Sequence, residues 1–111
     1  MDITTFLKRG VLIVRVKGEL DMHVADKFRQ KTDNALEASG VKHILFNLEE
    51  VKFIDSSGLG VILGRYKKIN AAGGKVLATN IQPQVLQIFE LSGLLKIIKT
   101  YNSEADALEC L

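Results

Sequence analysis

The segment 55–60, with the sequence Asp-Ser-Ser-Gly-Leu-Gly, combines a carboxylate, two hydroxyls and two glycines just before a helical repeat. Short polar side chains at such a position commonly cap the helix by accepting a backbone N–H bond, and the candidates are Asp55, Ser56 and Ser57. Gly58 and Gly60 do not suit a purely capping segment, because each glycine costs about 1 kcal/mol relative to alanine inside a helix. We therefore expect another surface to approach this backbone closely.

Nucleophilic catalysis by Ser56 or Ser57 would need a base to take the serine proton. The only histidines are His23 and His43, and neither lies in an informative motif. A small serine hydrolase is therefore kept only as an alternative, with turnover of generic esters by the isolated chain as its test.

Nucleotide binding is a second alternative, because Gly58, Gly60 and Gly64 form a loose dinucleotide-type glycine pattern. No acidic residue ends the next predicted strand, and no P-loop sequence is present. A regulatory module with weak nucleotide binding would be stabilised against heat by added nucleotide alone. One cysteine and two separated histidines offer no metal-ligand spacing, so we predict no metal and no cofactor.

The composition fits one domain over residues 1–111 of ordinary globular character, with 47% hydrophobic and 25% charged residues. The net charge of +2 is too small for a dedicated nucleic-acid binder, so we predict no direct nucleic-acid partner. Cys110 is the only cysteine, which excludes an internal disulfide and favours the cytoplasm. We expect its side chain to act as a small apolar packing group rather than as a nucleophile. No apolar run is long enough to span a membrane, and Met1 to Phe6 does not resemble a signal peptide.

Strand and helix patterns alternate along the chain. Ile3–Leu7 and Val11–Val16 predict a hairpin, and later strands are expected at Val41–Leu48, Val76–Thr79 and Lys96–Thr100. Helices are predicted from Val24 to Ser39, from Leu59 to the Gly73-Gly74 pair, from Pro83 to Ser92 and after Ser103. In the third helix, the residues expected to face inward are Val85, Leu86 and Phe89.

This order predicts an α/β fold with a mixed five-stranded sheet, in which the initial hairpin is antiparallel, the other strands are parallel and about four helices cover the sheet. Asp21 and Asp55 follow adjacent strands, so we expect their loops to meet at one edge of the sheet. Asp21 has two open roles, capping the first helix or pairing with a basic residue of a partner.

The motif Gly18-Glu19-Leu20-Asp21, followed by the 55–60 segment and its continuation to Gly64-Arg65-Tyr66, resembles the anti-sigma factor antagonists of the STAS family. The likeness spans nearly all residues. Together with Ser92-Gly93-Leu94 it points to the sporulation sigma-F branch, and the stress-response branch is the alternative.

The resemblance implies a binding switch rather than an enzyme. The unphosphorylated form would bind an ATP- or ADP-bound anti-sigma factor serine kinase and so release the sigma factor. Phosphorylation on Ser56 would end this binding. A serine phosphatase would then remove the phosphate and restore binding. The partner-binding residues would be Asp21, His23, Asp55, Ser56, Ser57, Gly58, Leu59 and Gly60. Met22 departs from the family pattern, where histidine is common at this position.

A phosphate on Ser56 would lie at a helix N-terminus, where we expect unpaired backbone N–H groups and the positive end of the helix dipole. Such a phosphate should not unfold the domain. Its effect is expected at the partner interface, because a dianion pressed into an unprepared surface must lose its hydration.

Overall fold

A computed structural model describes all 111 residues and has five strands and four helices. In chain order they are β1 (Asp2–Lys8), β2 (Val11–Leu20), α1 (Ala25–Ser39), β3 (His43–Ile54), α2 (Ser56–Ala71), β4 (Val76–Thr79), α3 (Pro83–Ser92), β5 (Lys99–Tyr101) and α4 (Glu104–Glu109). The strands lie side by side in the order β1-β2-β3-β4-β5, and only β1 and β2 are antiparallel. The predicted mixed α/β sheet is confirmed.

The two faces of the sheet carry separate apolar clusters, because strand residues alternate between the faces. One face holds Leu12, Val14, Ile44 and Phe46 and is covered by α1, α2 and α3. Phe28 of α1 packs edge-to-face on Phe46 with ring centroids 5.6 Å apart. The other face is covered by α4, whose Ala107 and Leu108 join the strand residues Val11, Ile13, Leu45 and Leu77.

Several sequence predictions need correction. β2 and β3 both run further than predicted, to Leu20 and Ile54, because register shifts let them stay paired through polar residues. The last strand is only Lys99–Tyr101, since Leu94–Lys96 forms a 3₁₀ turn.

Two side-chain predictions are also wrong. Leu86 does not face inward but is 37% exposed, because the helical stripe that meets the sheet is centred on the fully buried Val85 and Phe89. Cys110 is exposed rather than a core filler, because it lies beyond the last helical residue of the short α4.

Candidate functional site

The ends of β2 and β3 bring the two predicted motif loops together. Leu20 and Ile54, the last residues of the two parallel strands, are register partners. The backbone N–H of Asp55 then donates to the carbonyl oxygen of Leu20 over 3.1 Å. The loops that begin at Asp21 and Asp55 therefore lie at the same edge of the sheet, as predicted.

Asp55 is the residue that caps α2, among the three candidates. Its Oδ1 accepts the backbone N–H of Ser57 at 2.8 Å and that of Gly58 at 3.2 Å. Its Oδ2 accepts the N–H of Met22, in the other loop, at 3.1 Å. One carboxylate therefore fixes the start of α2 and ties it to the loop after β2.

This arrangement corrects one expectation about the helix start. The amides of Ser57 and Gly58 are not unpaired, because the Asp55 carboxylate already accepts both. The next amide, that of Leu59, donates to the Asp55 carbonyl oxygen at 3.0 Å.

Asp21 shapes the loop before α1 but does not cap that helix. Its Oδ1 accepts the N–H of His23 at 3.0 Å, and its carbonyl oxygen accepts the N–H groups of Val24 and Ala25. The N-cap residue of α1 is Val24, which offers no side-chain acceptor. His23 and its neighbour Met22 are exposed, the latter to 70%.

Ser56 and Ser57 differ in accessibility. Ser56 is the first residue of α2 and is exposed, whereas Ser57 is partly buried. Because Asp55 provides the cap, neither hydroxyl is needed for it. Ser56 is therefore the serine that a second protein reaches more easily.

The two glycines of the segment serve different purposes. A Cβ on Gly58 would collide with the carbonyl oxygen of Leu20 and come within 2.8 Å of Ile54 Cγ1. Gly58 is thus required by close packing of α2 on the strand ends, and an external docking surface is not needed to explain it. Gly60 is exposed, and a Cβ there would meet nothing within 4 Å, so the fold itself does not explain this glycine.

Exposed or half-buried apolar side chains occur on the same strand ends and loops as the exposed serine. Phe53, near the end of β3, is 44% exposed, and Met22 projects from the adjacent loop. Leu59, on the first turn of α2, is half-buried. Sequence reasoning did not select Phe53, although an aromatic residue directly before the polar segment was a usable signal. We call the group Asp21, Met22, His23, Phe53, Asp55, Ser56, Leu59 and Gly60 the strand-end surface.

His43 cannot serve as the base that the hydrolase alternative needs. His43 begins β3, at the opposite end of this 12-residue strand from Ser56. Its Nδ1 accepts the backbone N–H of Lys75 at 3.0 Å, which is a structural role. A polar cleft of about 660 Å³, lined among others by Arg15, Asn47 and Glu104, contains none of the predicted site residues. No helix is long and apolar enough to cross a membrane.

Comparison with known proteins decides the family. The STAS domain model matches residues 3–107. The chain belongs to the STAS domain family. It is 48% identical over 100 residues to the anti-sigma F factor antagonist of Paenibacillus polymyxa, covering 90% of this chain and 86% of that protein.

Two further STAS proteins are similar to this chain. The anti-sigma-B factor antagonist of Bacillus subtilis is 32% identical over 77% of this chain and 76% of its own length. SpoIIAA of Bacillus, solved in the phosphorylated form, superposes with a TM-score of 0.75 at 30% identity and 97% coverage of each chain. The chain is thus placed among the anti-sigma factor antagonists, which are regulatory rather than catalytic proteins.

Proposed function

We propose that this STAS domain in its unphosphorylated form binds an ATP- or ADP-bound anti-sigma factor serine kinase through the strand-end surface, and so releases the sigma factor. The observation that carries the proposal is the exposed Ser56 at the first position of α2, on the same edge of the sheet as the loop that carries the exposed Met22. The similarity to antagonists of anti-sigma factors supports the class of partner.

Phosphorylation of Ser56 by the bound kinase is the off-switch in this proposal. The exposed apolar side chains Met22 and Phe53 provide area that a partner can bury, and Ser56 is exposed at the first position of α2. A phosphate there brings a charge of about −1.5 to −2 into the contact. Removing its hydration without an arranged counter-charge costs several kcal/mol, and each ~1.4 kcal/mol is a tenfold loss of affinity.

A serine phosphatase would complete the cycle by removing the phosphate. The exposure of Ser56 supports this step, since the phosphatase must reach the same position as the kinase. The sporulation sigma-F pathway is favoured over the stress-response pathway, because identity to the anti-sigma F antagonist is 48% against 32% for the anti-sigma-B antagonist.

The proposal is tested by binding of the cognate anti-sigma factor to charge variants of the two serines. Ser56→Asp should weaken binding at least tenfold while the melting temperature changes little, because the new charge faces solvent in the free protein. Ser57→Asp is the matched control for serine position, and Ser56→Ala should bind like the unmodified chain. Equal binding of Ser56→Asp and the unmodified chain would refute the proposed off-switch.

A further inference from the structure

The Asp55 carboxylate occupies the donors that a phosphate on Ser56 would otherwise use. Three amides at the start of α2 follow Ser56 in sequence, and all three are engaged by Asp55: those of Ser57 and Gly58 by its carboxylate and that of Leu59 by its carbonyl oxygen. The second carboxylate oxygen holds the Met22 amide. Both oxygens of this side chain are therefore committed to backbone amides.

A helix N-terminus ordinarily stabilises an anion, because its free N–H groups and the helix dipole favour negative charge. At Ser56 part of this stabilisation is already taken, because the Asp55 carboxylate accepts the Ser57 and Gly58 amides and leaves only the amide of Ser56 itself without an acceptor. A phosphate would have to displace Asp55 from its amides or remain beside it as a second anion without those donors.

We infer that Asp55 is a positioning residue of the switch: by holding the amides of Ser57, Gly58 and Leu59, it keeps those donors from a phosphate on Ser56 and leaves its charge directed at the partner. The inference rests on the proposed phosphorylation of Ser56. It assigns the off-switch to the charge itself: the Asp55 bond to the Met22 amide ties the neighbouring loop to the start of α2, and the inference requires this bond to persist after phosphorylation.

The surrounding charges favour the same outcome. On the strand ends and loops around Ser56, the charged or titratable side chains are Glu19, Asp21, His23, Lys52 and Asp55. Three of these five are acids, and only Lys52 carries a permanent positive charge. These strand ends and loops therefore offer the phosphate a single lysine, Lys52.

The test installs phosphoserine at position 56 during translation, so that no kinase is needed, and follows the second pKa of the phosphate by ³¹P NMR. His23→Gln is included in every sample, which removes the imidazole of the adjoining loop from the measurement. We expect a second pKa at or above the value of about 6 for a free phosphoserine. Asp55→Asn should lower it by about 0.5, the effect of removing one charge at about 6 Å in water.

Asp21→Asn is the matched control. It removes another carboxylate of the strand-end surface, and that carboxylate accepts the His23 amide but none of the α2 amides. Its effect on the phosphate should be less than half that of Asp55→Asn. Asparagine is as good an N-cap as aspartate, so the Asp55→Asn chain should remain folded, which circular dichroism checks.

Two results would overturn the inference. One is a phosphate pKa well below 6 in the Asp55 protein, with the Ser57 and Gly58 amide resonances shifted on phosphorylation, since the phosphate would then have taken the amides. The other is an equal effect of the two asparagine variants. Neither result bears on whether the unphosphorylated chain binds an anti-sigma factor, which the serine variants test separately.

Discussion

A substitution at Gly60 should have opposite effects on the stability of the fold and on the affinity for the partner. It lies in the second turn of α2, is exposed, and a Cβ built on it meets nothing within 4 Å. Alanine is favoured over glycine inside a helix by up to about 1 kcal/mol, and nothing in the fold opposes the added methyl group. Gly60→Ala should therefore raise the melting temperature by roughly 4 °C for a domain of this size.

Partner binding should change in the opposite direction. If α2 is approached closely at Gly60, an added methyl group overpacks the contact, and overpacking typically costs about 1–3 kcal/mol. The affinity for the anti-sigma factor should then fall about tenfold or more. The assay is isothermal titration calorimetry with the anti-sigma factor, run beside thermal unfolding of the free variant.

Two glycines of the same helix serve as controls. Gly64→Ala also places a methyl group in open space, one turn further from Ser56, so it should stabilise the fold and leave binding unchanged. Gly58→Ala should destabilise the fold by about 2 kcal/mol, because its Cβ would collide with Leu20 and Ile54. A stabilised Gly60→Ala chain that binds as tightly as the unmodified one would refute a close approach at Gly60.

Three further predictions concern charged side chains. Arg15 donates two hydrogen bonds of 2.9 Å to Glu104, and these bonds are the main reason that the pKa of Glu104 is lowered. The stability that they contribute is present above the ordinary carboxyl pKa and should be lost as the pH falls below about 4.5. Urea unfolding at several pH values should show this loss in the parent chain but not in Glu104→Gln. The Arg65 Nε of α2 lies 3.1 Å from Asp33 Oδ1 of α1, with side chains only 12% and 22% exposed. Arg65→Met should cost about 3 kcal/mol in urea unfolding by leaving Asp33 unpaired, and adding Asp33→Leu should recover most of it; no recovery would contradict this. Asp21→Ala should weaken anti-sigma factor binding, and a double-mutant cycle with partner arginines should show coupling above about 0.5 kcal/mol if the aspartate pairs with one of them.

The fold could be predicted from sequence because its strongest signals are local. The apolar run at Ile44–Phe46 and the helical repeat that includes Ile62 and Ile69 both end at glycine or polar breaks, and these residues are buried where expected. The meeting of the Asp21 and Asp55 loops followed from strand adjacency alone. These inferences need only periodicity and the rule that parallel strands end at one edge.

The corrected features depend on contacts between distant residues. Gly58 looked available for a partner because its close neighbour, Leu20, lies 38 positions earlier in the chain. The role of Asp55 as a shared acceptor depends equally on the Met22 amide from another loop. The exposure of Leu86 depends on which stripe of α3 meets the sheet, the one with Val85 and Phe89, and no local pattern fixes that choice.

The most direct test of the central claim is to map phosphorylation after incubation with the cognate anti-sigma kinase and ATP. Intact-mass and peptide mass spectrometry would be applied to the unmodified chain and to its Ser56→Ala and Ser57→Ala variants. The proposal predicts one phosphate, located on Ser56, absent from Ser56→Ala and retained in Ser57→Ala. A phosphate that persists in Ser56→Ala, or no phosphorylation of the unmodified chain, would contradict it.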